Sequence, residues 1–162
     1  MKLDGFDLKI LQVLQEEGRI TKLKLGERIG LSPSPCHERV KRLERCGYIL
    51  GYRALVDLDR LLPTTTIFVE ITLDKHHARD FEVFEAAIQD VPEIVECFAI
   101  GGGIDYLIKV IARDLEHYQS LIEELLARDI GIARYFTYVM TKPIKQTPPA
   151  LDTLSGHKRL AP

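Results

Sequence analysis

The chain has 162 residues, 46% of them hydrophobic and 28% charged, with a formal net charge of −2. That length admits one domain or two small ones, and no apolar run approaches the ~20 residues that span a bilayer. The N-terminal "MKLDGFDLKI" lacks the apolar core of a signal peptide, and three scattered cysteines (Cys36, Cys46, Cys97) fit reduced thiols better than a disulfide framework, so a cytoplasmic protein with no membrane partner is expected.

The first 50 residues read as three helices. "DGFDLKILQVLQEEG" opens with an Asp cap, places Phe6, Ile10, Leu11 and Leu14 on one face and stops at Gly18. "TKLKLGERIG" has Thr21 as cap, Leu25 and Ile29 four apart, and Gly30 as stop. "SPSPCHERVKRLERCG" has Ser32 as cap and Pro33 at the first helical position, with Cys36, Val40 and Leu43 facing inward and Gly47 closing. Only Gly30–Leu31–Ser32 separates the second and third helices, which makes residues 1–50 a helix-turn-helix domain.

After Gly47 the period changes. Residues 51–64, within "YILGYRALVDLDRLLPTT", read as a hinge strand and linker. Residues 65–145 run strand, helix, strand, glycine turn, strand, helix, strand: "TTIFVEITL", "ARDFEVFEAAIQD", "IVECFAI", "GGGID", "YLIKVIA", "LEHYQSLIEELLAR", "ARYFTYVMT". This is the βαββαβ order of a ferredoxin-like α+β fold. Phe81, Phe84 and Ile88 share a face of the first helix, and Tyr118, Leu121, Ile122 and Leu125 a face of the second. Two helices on one side leave the other sheet face bare, and such faces are commonly covered by a second subunit. Residues 146–162 carry three prolines and no clear period, and read as a mobile tail.

Charge is unevenly spread. Residues 1–60 hold 12 Lys/Arg against 9 Asp/Glu, and residues 61–162 hold 10 against 15. The third helix is the sharpest cationic feature. Its core side takes Cys36, Val40 and Leu43, and its other faces carry Ser34, Pro35, His37, Glu38, Lys41, Arg42 and Arg45. In a helix-turn-helix that surface enters the major groove of double-stranded DNA. Lys41 and Arg42 suit phosphate or guanine, and Ser34 and His37 suit base edges. With Ser32 and Arg39 these residues form the expected DNA-contact set. Cys36 and His37 do not make a catalytic pair, because adjacent helical residues point about 100° apart. No paired C-x-x-C unit suggests zinc, and no convergent acid, base or nucleophile suggests catalysis, so neither a catalytic nor a metal site is expected. "GGGID", Gly101 to Asp105, is not a dinucleotide fingerprint, since no helix follows it. It reads equally as a permissive hairpin turn or as a place where a ligand approaches main-chain N–H groups, with Asp105 available to an ammonium.

Taken together, "LDGFDLKILQVLQEEGRIT", "LGERIGLSPSPCHERVKRLERCGYILGY" and "GGGIDYLIKV" resemble the Lrp/AsnC, or feast/famine, transcription regulators, over Leu3 to about Lys145. The resemblance implies a (winged) helix-turn-helix, a hinge strand and a βαββαβ domain that senses an amino acid or related solute. It also implies a homodimer assembling to an octamer, no cofactor, and an effector held near Gly101, Gly102, Gly103, Ile104 and Asp105 with Tyr135 and Thr137. Family members usually carry an acid where Gly103 stands, and often small hydroxyl residues where Tyr135 and Phe136 stand. Both departures fall in the effector region. "IGIARYFTYVMTKPIK" looks similar to a subgroup tied to catabolism of proline or related solutes. The alternatives are a nucleoid-type architectural protein with little ligand response and a regulatory subunit of an amino-acid-metabolism enzyme.

Overall fold

In the computed structural model, which describes residues 2–154, side-chain caps set the starts of the first two helices. α1 (Gly5–Glu16) begins at Asp4, whose carboxylate accepts the Asp7 N–H at 3.0 Å while the Asp7 carboxylate accepts the Asp4 N–H at 3.1 Å. α2 (Lys22–Ile29) begins at Thr21 and ends at Gly30, whose φ of 76° turns the chain left-handed. α3 (Pro33–Arg45) follows Ser32, which has extended cap backbone but makes no side-chain capping bond. Gly47, at φ 73°, reverses the chain so that the Tyr48 N–H donates to the Leu43 carbonyl at 3.0 Å.

Described residues up to Leu55, with those from Lys145, form one compact unit, and Val56–Ile144 form a second. The core of the first is Ile10, Val13, Leu25, Ile29, Cys36 and Leu43. Phe6, expected inside, is 39% exposed and lies under the Arg39 guanidinium, 5.5 Å from its ring centroid. α1 is turned so that Asp7 and Leu8 face inward in its place. Gly26 permits a close approach: a Cβ there would meet the Leu31 carbonyl oxygen at 2.7 Å.

Two stretches differ in part from what was expected. Residues 49–57 carry no strand pairing, and a short helix, α4 (Leu58–Leu61), follows where hinge strand or linker was expected. A strand needs a neighbour for its backbone groups, and Asp57 instead starts a helical turn by accepting the Arg60 N–H at 3.3 Å. Leu50 and Leu55 are 96% and 102% exposed along this stretch. Within the expected tail, Leu151–Leu154 form a last helical turn, which belongs to the first unit. Leu151, half-buried, and Leu154, 73% exposed, line an apolar cleft of about 440 Å³ with Leu3, Leu8, Leu11, Gln15 and Tyr48. The rest of that expectation, 155–162, lies outside the described residues.

The second unit is an antiparallel sheet in the order β2-β3-β1-β4, with β1 (Thr65–Leu73), β2 (Ile94–Ala99), β3 (Tyr106–Ala112) and β4 (Ile132–Val139). α5 (Ala78–Gln89) links β1 to β2, and α6 (Leu115–Ala127) links β3 to β4. Alternation fixes the faces: Ile67, Val69, Ile71 and Leu73 of β1 and Tyr106, Ile108, Val110 and Ala112 of β3 pack with Phe84, Ile88, Tyr118, Leu121, Ile122 and Leu125 of the helices. One sheet face is therefore covered. The other presents Phe98, Phe136 and Tyr138, each about half exposed.

Glycine in a helix interior is normally improved by alanine, by about 1 kcal/mol. At Gly26 the sign should reverse, because the obstacle is main chain. Gly26→Ala should destabilise the first unit by about 1–3 kcal/mol in denaturant titration.

Candidate DNA interface and effector region

α3 distributes its polar residues unequally. Successive helical positions turn by about 100°, so Ser34, Glu38, Lys41 and Arg45 form one stripe opposite Cys36 and Leu43, and all four are exposed. Pro35, beside the stripe, and Ser32, at the cap, are exposed too. His37 is half-buried, its Nε2 3.2 Å from the Lys22 ammonium of α2. Lys22 joins this surface without having been expected there; its position at the start of α2 was the available signal.

Arg39 and Arg42 depart from the expectation of free DNA contacts. Arg42 Nη2 donates to both Asp7 oxygens, at 2.8 and 2.9 Å. Arg39 Nη1 donates to Asp7 Oδ1 at 2.9 Å and to Asp4 Oδ2 at 2.7 Å. The Asp7 side chain is 1% exposed, and a carboxylate so placed must be paired. The two arginines lie on the flank of α3 toward α1, beside the outward stripe. Burial pushes the Asp4 carboxyl up, but the Asp7 N–H and the Arg39 guanidinium outweigh it and hold the group below its ordinary value of 3.8. Cys36 is fully buried, and burial pushes its thiol up, away from thiolate reactivity. Among the described residues no group of three or more His, Cys, Asp or Glu could hold a metal.

In the second unit, Gly101–Gly103 are exposed, Gly102 has φ 157°, and Ile104 is half-buried. Asp105 is not free. Its Oδ2 accepts the Leu73 N–H at 2.7 Å and lies 3.1 Å from His76 Nε2, and its side chain is 15% exposed. Its main-chain N–H donates to the Ile71 carbonyl at 3.0 Å, and its carbonyl accepts the Ile100 N–H at 2.8 Å. Asp105 therefore clips the glycine turn to the end of β1 through its Oδ2. Tyr135 and Thr137 lie elsewhere. Tyr135 pairs with Ile71, which pairs on its other side with Tyr106, so β1 stands between the glycine turn's strand and β4. Two strand spacings are about 10 Å. Tyr135 and Thr137 instead line a cleft of about 490 Å³ with Leu115, Tyr118, Gln119, Ile122 and Glu123. In it the Tyr118 hydroxyl bonds the Thr137 hydroxyl at 2.5 Å. One chain does not gather all seven expected effector residues into a single pocket.

Comparison with known proteins bears on both regions. Residues 3–49 match the family described as winged helix-turn-helix DNA-binding, and residues 66–150 match the Lrp/AsnC ligand binding domain. The chain is 53% identical over 146 residues to the transcriptional regulatory protein DoeX of Halomonas elongata, covering 90% of this chain and 92% of that one. It is 45% identical over 145 residues to the leucine-responsive regulatory protein of Salmonella typhimurium, covering 90% and 88%. Among solved structures, the transcriptional regulator NMB0573 of Neisseria meningitidis, in complex with L-Met, superposes with a TM-score of 0.84 at 36% identity, over 90% and 94% of the two chains.

Two outcomes follow from this geometry. A carboxyl held below its ordinary value stabilises the fold above that value and loses its contribution as pH falls through the lower, folded one. The first unit should therefore lose stability on acidification below about pH 4, and Asp4→Asn should flatten that dependence in melts across about pH 3 to 6. Asp105→Ala leaves the Leu73 N–H without its acceptor and should destabilise the second unit by about 1–3 kcal/mol in denaturant titration.

Proposed function

The chain belongs to the Lrp/AsnC family of transcriptional regulators, and on that premise we propose how it meets DNA and where it takes its effector. It is a DNA-binding transcriptional regulator with a helix-turn-helix domain and a ligand-binding domain. The observation that carries the DNA reading is the exposed stripe of α3, Ser34, Glu38, Lys41 and Arg45, set opposite a fully buried Cys36 and Leu43. With Pro35 and His37 at its sides, this stripe enters the major groove. Lys41 and Arg45 take phosphate or guanine, and Ser34 and Glu38 take base edges. Ser32 shapes the start of the helix.

The effector is an amino acid or a close relative. Support comes from the L-Met complex of the Neisseria regulator and from leucine-responsive relatives. Gly101–Ile104 offer main-chain N–H groups to a carboxylate, Asp105 holds that turn in place, and Tyr135 and Thr137 border a cleft in which Glu123 can meet an ammonium. The separation of the glycine turn from β4 favours a site completed by a second subunit. We read the assembly as a dimer formed through the uncovered sheet face, built up further to an octamer, working in the cytoplasm with no chemistry of its own. A screen of amino acids and common osmolytes by thermal shift tests the effector reading. A true effector at about 100 times its dissociation constant adds about 2.7 kcal/mol. Effector titration of DNA binding separates this sensor from an architectural DNA binder.

Lys41→Ala and Arg45→Ala should each weaken DNA binding. Where the lost group held a phosphate, the slope of log affinity against log salt falls in magnitude by about 0.9; where it held a base, about 1–3 kcal/mol is lost at one position of the site.

A further inference from the structure

α3 carries four cations, Arg39, Lys41, Arg42 and Arg45, and the fold separates them into two sets. Lys41 and Arg45 stand on the outward stripe, exposed. Arg39 and Arg42, half-buried, converge on one carboxylate of α1. We propose that Asp7 is a positioning residue for DNA recognition: it binds two cations of α3 to α1, fixing the rotation of the recognition helix and keeping both guanidiniums off the DNA backbone. This rests on the reading of α3 as the DNA-facing helix.

Three observations carry it. Asp7 accepts from two arginines three positions apart, so keeping both contacts restricts the rotation and axial position of α3 against α1. The side chain is 1% exposed, and Arg39 has a second carboxylate in Asp4, so neither guanidinium is loosely held. Finally, Arg42 Nε is buried without a hydrogen-bond partner. That donor subtracts from what the pair contributes to stability, since each such loss is unfavourable. A buried carboxylate paired in this way is weak evidence for stability, and fixing registry is the best-attested use of such pairs. Two long cations released beside the groove-facing stripe would seek phosphate at any sequence, raising non-specific affinity as much as specific affinity.

The test uses the full chain and two duplexes of equal length, one selected by the wild-type protein from a random pool and one arbitrary. Asp7→Asn should reduce the selected-to-arbitrary affinity ratio about ten-fold and steepen the salt slope by about 0.9 for each guanidinium that reaches a phosphate. Arg42→Gln keeps Asp7 paired with Arg39 and an amide, and its salt slope should equal that of the wild type. A wild-type ratio in folded Asp7→Asn overturns the proposal, and so does a slope about 0.9 shallower in Arg42→Gln, which would make Arg42 a phosphate contact. Should Asp7→Asn fail to fold, the Arg42→Gln slope decides alone. Lys41→Ala and Arg45→Ala proteins that both bind DNA as the wild type does would instead remove α3 from the interface, which is a different failure.

Discussion

Burying the Asp7 carboxylate obliges the rest of the first unit to bring it positive charge. The cost of taking such an ion out of water is several kcal/mol, and it is offset only by well-placed partners. The partners come from α3, and their spacing sets how that helix lies on α1. With Arg39 and Arg42 turned to Asp7, Cys36 and Leu43 face the core and Lys41 and Arg45 face away from it. The close approach of α2 to the turn ahead of α3 depends in turn on Gly26 having no Cβ. A polar tie and a missing methyl group thus do together what apolar packing leaves undone. Packing brings the three helices together, and these two features limit how α3 can rotate.

A related device recurs in the second unit with a different purpose. Asp105 fastens the glycine turn to the end of β1 through the Leu73 N–H and His76. The turn itself stays open, because nothing lies within 4 Å of where a Cβ would stand on Gly101, Gly102 or Gly103. A loop anchored by its last residue and open at its glycines can present main-chain donors at a fixed place without closing around them. The carboxylate expected to meet a ligand ammonium is engaged by the Leu73 N–H and His76.

Much of the fold was legible in the sequence because it is written in periods. The 3.6-residue spacing of Tyr118, Leu121, Ile122 and Leu125 and the alternation through Ile67, Val69 and Ile71 specify which faces are covered. The turn at Gly30 and the stop at Gly47 follow from left-handed backbone that glycine adopts readily. Other features are written in no period. An Asp at an inward position of α1 looks like any surface acid until the arginines 32 and 35 residues away are brought beside it. The same holds for Gly26, whose neighbour belongs to the following turn. Residues 49–57 carry strand-forming side chains, but pairing depends on a neighbouring strand that composition does not supply. For the candidate site, residue types were legible and their engagement was not. Lys41 and Arg45 are exposed as a groove-facing stripe requires, whereas Arg39, Arg42 and Asp105 already have partners.

The two-cation stripe has a consequence for assembly. One α3 offers Lys41 and Arg45 to phosphate or guanine, with Lys22 of α2 beside them, so the outward cations of this surface are few in one copy. Joining copies would add to DNA affinity, because a second helix binds at an effective concentration set by the first. The uncovered sheet face is suited to that joining. Some of its charged groups are already paired on their own surface, the Tyr138 hydroxyl donating to Glu70 at 3.1 Å and Lys109 to Glu96 at 3.3 Å, while Phe98 and Phe136, on the two edge strands, remain half-exposed. A second sheet laid against it buries aromatic area without stripping partners from charged groups, which is the usual obstacle to covering a mixed surface. On the proposed reading, restricting the cations of each α3 ties DNA affinity to the joining of copies, and an effector that alters the joining could act on DNA binding without touching α3.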